Sequence, residues 1–248
     1  MAILETRGLA IGAGQRLLVE GLDWQVGQGE FWCVLGRNGA GKSTLLQAVS
    51  GLRAALRGEV NIAGRPLAAL PAPELARLRG MMWQQLVDSF SCTVFDAAAI
   101  GRTPWRFGHD WDADDDARCV HEALARVGMG NRAGDDILNL SGGERQRVAF
   151  AAMLVQAPEL MLFDEPTAHQ DVAQQLLLMR LMRQLSERHA VVASCHDINL
   201  VARFATHVLL LGPGFHRAGS AGDVLTVDHL GQAFGCRFTR SGELFTAA

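Results

Sequence analysis

The stretch GRNGAGKST, residues 36–44, joins a short apolar run (FWCVL, 31–35) to a helix-forming one (KSTLLQAVSGL, 42–52). Gly36, Gly39 and Gly41 let the backbone turn so that its amides, with those of Arg37, Asn38 and Ala40, converge on one point. Inward amides at a helix N-terminus form an anion cradle. Lys42 at this spacing reaches the outer phosphates of a nucleoside triphosphate, and the hydroxyl of Ser43, beside Thr44, suits Mg²⁺.

A second group of chemistry-bearing residues lies far downstream. ELMLFDE (159–165) ends an apolar run on Asp164 and Glu165. A strand-end carboxylate can hold magnesium beside the phosphates, and its neighbour can orient or deprotonate an attacking water; the bland alternative is an acidic surface turn before Pro166. His196 follows AVVAS (190–194) and Cys195, so it either approaches a γ-phosphate or is one more surface histidine. LSGGERQRV (140–148) places another glycine pair at a helix start. It is either an ordinary turn or a grip on the nucleotide that the first loop holds. Gln84 and Gln85 carry a weaker signal.

The elements that must position these residues follow an α/β rhythm. RLLVEGLDWQV, FWCVL and GEVNIAG read as strands. AALPAPELARLRG reads as a short helix after prolines, and MMWQQLVDSFSCTVFDAAAIG leads into a second helical stretch. DWDADDDARCVHEALARVG begins acidic, as suits exposed helix amides, and becomes amphipathic. Helices are expected at GERQRVAFAAMLVQ, VAQQLLLMRLMRQLSER and DINLVARFA, with strands at ELMLF, AVVAS and HVLLL, the last as the final core strand. The tail reads as a short helix and a turn or strand.

The chain of 248 residues is 49% hydrophobic, enough for one large α/β domain. A net charge of −3 gives no reason to expect a nucleic-acid partner. Every apolar run breaks before the ~20 residues of a membrane span, and the first ten residues lack a basic start before an apolar stretch, so neither a span nor a secretory signal is expected. Cys33, Cys92, Cys119, Cys195 and Cys236 form no CxxC pair and are expected as buried, unpaired thiols.

In their order, GRNGAGKST, QQ, LSGGERQRV, LMLFDEPT and SCHD resemble the ATP-binding subunit of ABC transporters across nearly the whole chain. The resemblance implies a P-loop NTPase fold of the ABC ATPase type. Its RecA-like core with a small antiparallel β region would span about 1–84 and 139–248, and an inserted helical subdomain about 85–138. It implies ATP and Mg²⁺ as ligands and a head-to-tail dimer, in which Leu140, Ser141, Gly142, Gly143 and Glu144 serve the ATP held by the partner copy. Glu165 matches the catalytic base, His196 the switch histidine, Gln84 the glutamine that contacts Mg²⁺ with Ser43 and Asp164, and Asp171 the aspartate of the cross-interface loop. RLRGMMWQQ and the helices after it would receive the coupling helix of a polytopic permease. TVFDAAAIGRTPW and GDVLTVDHLGQAFG are similar to importers of iron–siderophore, haem or cobalamin, which implies ATP-driven import at the cytoplasmic face of the inner membrane and an indirect periplasmic binding protein.

Two departures stand out. Ala13, between Gly12 and Gly14, replaces the aromatic residue that stacks on adenine, and AHQD (168–171) replaces Ser-Ala-Leu-Asp. Alternative readings are a soluble ABC ATPase and a nucleotide-gated structural protein, neither coupled to transport.

Overall fold

The computed structural model describes residues 2–14, 16–84, 90–105 and 113–247. A hairpin of β1 (Ala2–Ala13) and β2 (Arg16–Gly27) leads to β3 (Phe31–Gly36) and α1 (Lys42–Val49). Then come β4 (Arg57–Ile62), β5 (Arg65–Pro66), α2 (Ala72–Leu78) and β6 (Arg79–Met82). A helical stretch holds α3 (Val94–Ala99), α4 (Ala113–Arg126) and α5 (Gly142–Gln156). Alternation resumes with β7 (Leu160–Phe163), α6 (Val172–Leu185), β8 (Ala190–Ser194), α7 (Ile198–Phe204) and β9 (His207–Gly212). The chain closes through β10 (Phe215–Ser220), α8 (Ala221–Val224), α9 (Val227–Phe234), β11 (Phe238–Ser241) and β12 (Leu244–Ala247).

The central sheet has the order β10-β9-β3-β8-β7-β6, parallel except for the antiparallel edge β10. A second, antiparallel sheet has the order β2-β1-β4-β5. β7 and β8 are buried at every position, which is why LMLF and AVVAS are continuous apolar runs rather than alternating ones. The period of two in β3 divides its side chains between two cores. Phe31, Cys33 and Leu35 join one with Phe150, Phe163 and Leu178, while Trp32 and Val34 join the other with Leu45, Leu46 and Trp24. Stacking of Phe150 on Phe163, with centroids 4.8 Å apart, fixes α5 against β7. Because β3, β7 and β8 run parallel, their carboxyl ends deliver Gly36, Asp164 and Cys195 to one edge of the sheet, where open α/β sheets bind ligands.

Three expectations are corrected. RLRGMM holds a strand, β6, which its short length and flanking helix conceal, and HVLLL is followed by an edge strand, β10, whose FHRAGS is only partly buried. Of the five cysteines only Cys33 and Cys195 are buried; Cys92 and Cys119 are half-buried and Cys236 is exposed. Gln85, the boundary placed there and the acidic residues Asp110 and Asp112 lie outside the described residues. The rest of the acidic helix start is engaged locally, with Asp116 at 2.5 Å from Arg102 and Asp115 paired to Arg118.

Candidate nucleotide site

The phosphate loop is shaped by contacts that only glycine allows. A Cβ on Gly36 would stand 2.6 Å from the Leu211 carbonyl oxygen, and Gly41, at φ +102°, would bring one 3.1 Å from Leu18 Cβ. No side chain caps α1, so its first amides remain open to an acceptor. Lys42 is only 5% exposed. Its Nζ donates to the Gly36 carbonyl at 3.0 Å and lies 3.8 Å from Glu165 Oε1, partners that a nearly buried ammonium requires. A cavity of about 470 Å³ opens over the loop, lined by Asn38, Gly39, Gly41, Lys42, Ser43 and Thr44 together with Gln84 and Glu165. Ala13, Arg16 and Leu18 complete its lining, which among the described residues contains no aromatic side chain. Arg37 and Ala40 line an adjoining cavity instead.

Across the sheet edge, Asp164 ends β7 and is 2% exposed. Its Oδ1 accepts from Ser43 Oγ at 3.0 Å and from Ser194 Oγ at 2.6 Å. The Ser194 hydroxyl in turn accepts from the Glu165 amide at 2.8 Å, so one hydroxyl sets both acidic residues. Glu165 has φ +48°, a left-handed backbone that is rare outside glycine and persists where the surroundings over-determine it. Ser194 holds it from one side; Gln146 Nε2 donates to its carbonyl at 2.8 Å from the other. Its carboxylate accepts from Gln84 Nε2 at 2.8 Å, which leaves the Gln84 side-chain oxygen as a ligand donor. Hydroxyl, carboxylate and amide oxygens form a hard donor set that fits Mg²⁺. His196, exposed just past β8, does not line the cavity.

None of Leu140, Ser141, Gly142, Gly143 and Glu144 lines that cavity either. Leu140 is buried, and Ser141 caps α5. The Ser141 amide and hydroxyl both donate to Glu144 Oε2 at 2.8 Å, and the Glu144 amide donates back to Ser141 Oγ at 3.3 Å, a complete capping box. The Ser141 backbone N–H, then its hydroxyl, hold the Glu144 carboxyl below its ordinary range, and Arg132 pairs with the same group. Gly143 lies against the loop before α6: a Cβ there would be 3.1 Å from the His169 carbonyl oxygen. Asp171 caps α6 by accepting from the Gln174 amide at 2.9 Å.

Sequence reasoning missed Ser194 and Gln146, and marked Gln170 only as part of the AHQD departure. Ser194 had one signal, a lone hydroxyl closing an otherwise apolar buried strand. Gln146 is buried inside α5 and Gln170 lies in a loop, and no spacing rule marks either.

A strand–loop–helix phosphate cradle facing a strand-end carboxylate pair defines a P-loop nucleoside triphosphatase. More narrowly, the chain belongs to the ABC transporter family, whose model matches residues 19–168, and it is an ATPase of that family. It is 42% identical over 213 residues, covering 86% of this chain and 75% of the relative, to the hemin import ATP-binding protein HmuV of Streptomyces coelicolor. To the iron(3+)-hydroxamate import ATP-binding protein FhuC of Bacillus subtilis it is 34% identical, covering 94% of this chain and 88% of that protein. Among solved structures, the dimeric MJ0796, a bacterial ABC transporter cassette, superposes with a TM-score of 0.77 at 25% identity over 88% of this chain and 98% of that one.

Proposed function

We propose that this chain binds and hydrolyses ATP in a head-to-tail dimer of two copies, to drive a membrane permease that imports an iron chelate, haem or cobalamin. The observation that carries this reading is the separation within one chain of two anion-binding elements: Asn38, Gly39 and residues 41–44 line the cavity and residues 140–144 do not. The cap supports the second role, since its amide and hydroxyl already stabilise a negative oxygen, that of Glu144.

The roles follow from position. The amides of Gly36, Arg37, Asn38, Gly39, Ala40 and Gly41 and the start of α1 at Ser43 and Thr44 wrap the phosphates, while Lys42 neutralises the outer ones. Ser43, Gln84 and Asp164 would hold Mg²⁺, which when bound offsets phosphate charge. Glu165 orients and deprotonates the attacking water, and His196 and Asp171, both exposed, act where the partner copy closes over the site. Ser141, Gly142 and Gly143 grip the partner's nucleotide. Two-fold symmetry makes two equivalent sites, each incomplete without the other copy.

The permease reading rests on an apolar groove of about 450 Å³ beside α5, lined by Met81, Trp83, Ile100, Pro104 and Met153. Ile100 is 66% exposed at its edge, an apolar surface of the kind that marks a protein contact. No helix among the described residues is long and apolar enough to cross a membrane, so the chain would dock from the cytoplasmic face, and a periplasmic binding protein would act only through the permease. Import of an iron chelate or haem is taken from what the relatives' names state of them.

The test is light scattering of the full chain with ATP and Mg²⁺. Glu165→Gln protein is expected to double from its 26.8 kDa monomer mass, and Glu165→Gln/Ser141→Arg protein to stay monomeric. A Glu165→Gln chain that remains monomeric both alone and beside its permease overturns the composite site.

A further inference from the structure

We infer that Gln170 is a positioning residue that ties the signature turn to the peptide of Glu165, so that grip on one nucleotide and alignment of the base for the other move together. The inference rests on the composite-site reading above and assigns a role to a side chain outside both anion-binding stretches.

Gln170 makes three hydrogen bonds in one place, using both of its donors. Its Nε2 donates to the Gly143 carbonyl at 2.8 Å and to Gln146 Oε1 at 3.2 Å. Its Oε1 accepts from Arg147 Nη1 at 3.3 Å, which fixes which end of the amide faces Gly143. Gln146, 4% exposed, passes the link on by donating to the Glu165 carbonyl at 2.8 Å. An unbroken line of part-buried hydrogen bonds therefore runs Gly143–Gln170–Gln146–Glu165, with the buried Gln146 at its centre.

The backbone is arranged around this line. His169 adopts φ +59°, a left-handed turn that lays residues 169 and 170 across α5. Gly143 permits the approach, because a Cβ there would stand 3.1 Å from the His169 carbonyl and 3.3 Å from both polar atoms of the Gln170 side chain. The resembled pattern carries leucine at this place, so the donors belong to the AHQD loop of this chain. A pull on the signature turn by the partner's ATP reaches Glu165 through two amides, and Glu165 holds a left-handed backbone at φ +48°.

Two substitutions separate the link from simple packing. Gln170→Leu removes all its polar contacts; Gln170→Glu keeps the shape and the acceptor for Arg147 but deletes both donated bonds. In the Glu165→Gln chain, each should raise the ATP concentration at half-dimerisation, read by light scattering, by about fivefold or more, a usual coupling size. With Glu165 intact, each should lower the Hill coefficient of ATP hydrolysis from about 2 toward about 1. In the Ser141→Arg chain, held monomeric, neither should change the affinity for trinitrophenyl-ATP, because the phosphate loop is untouched. The inference is overturned if Gln170→Glu matches Gln170 in both dimerisation and Hill coefficient, or if both variants weaken nucleotide binding in the monomer as much as dimerisation. A Glu165→Gln chain that never dimerises instead sinks the composite-site reading, whatever Gln170 does.

Discussion

The two regions proposed to face nucleotide are built on opposite plans. Around the phosphate loop, Lys42 and Asp164 are almost fully buried; Ser43 and Ser194 both bond Asp164, and Ser194 and Gln84 bond Glu165, across strand ends far apart in sequence. At the signature turn Ser141 and Gly142 are exposed, and the polar groups of Ser141 are satisfied within a single helical turn. The buried region must arrive organised, since a charge in the interior survives only with its partners in place. The exposed turn can stand alone as a helix cap and still accept an anion, because capping and anion binding use the same groups. On the proposed reading, one chain carries a buried half that holds the chemistry and an accessible half that serves a second copy.

The strongest way to break this comparison is to remove chemistry from the buried half alone. Glu165→Gln is expected to lower the rate of phosphate release at saturating ATP by about 10²–10⁴-fold, the usual contribution of a general base. ATP affinity should stay close to the unmutated value, because the carboxylate touches Lys42 and Gln84 rather than the amides of the loop. A rate that falls less than tenfold would move the base elsewhere. Ser194→Ala probes organisation rather than chemistry: it deletes the bond to Asp164 and strands the Glu165 amide. An unpaired buried donor costs about 1–3 kcal/mol, so hydrolysis should drop by roughly ten- to a hundredfold with a lower melting temperature. Unchanged turnover would show that the strained turn at Glu165 holds without its hydroxyl.

The same contrast explains what the sequence made legible. GRNGAGKST could be read because its chemistry is local: nine consecutive residues supply cradle, lysine and hydroxyl. The helix start at 140–148 was legible for the same reason, its glycine pair and the helix it opens being contiguous in sequence. Ser194, Gln146 and Gln170 act through partners 19 to 30 residues distant, contacts that no window on the sequence contains. β6 and β10 escaped because edge strands lack the continuous apolar run that betrayed β7 and β8. Ala13 is an intermediate case: its departure was visible in sequence, and its place in the cavity only in the fold.

Ala13 also offers a milder change to the buried half. Ala13→Tyr puts an aromatic face beside the cavity, and base stacking is worth about 1–3 kcal/mol. Trinitrophenyl-ATP displacement should therefore give ATP a Kd about five- to tenfold lower at the small end of that range, with the hydrolysis rate at saturation unchanged. A simultaneous change in maximal rate would mean that the hairpin influences the phosphates as well as the base.

The smallest effect is expected at the exposed turn and is visible through pH. The fold holds the Glu144 carboxyl below its ordinary 4.5, chiefly through the Ser141 backbone N–H, so the ionised form is the one that stabilises the cap. That contribution is fully present above the unfolded value and is lost as pH falls through the lower folded value. Glu144→Gln should thus lower the melting temperature modestly at pH 7, in keeping with about 0.3–1 kcal/mol for a carboxylate at a helix start. The difference between the two proteins should close as the pH is taken from 5 to 3, and added salt should narrow it at pH 7. A gap that persists unchanged at pH 3 would assign the cap to shape and neutral hydrogen bonding. It would also remove the charge argument for an anion site at this turn, leaving its role to be carried by the amides of Gly142 and Gly143 alone.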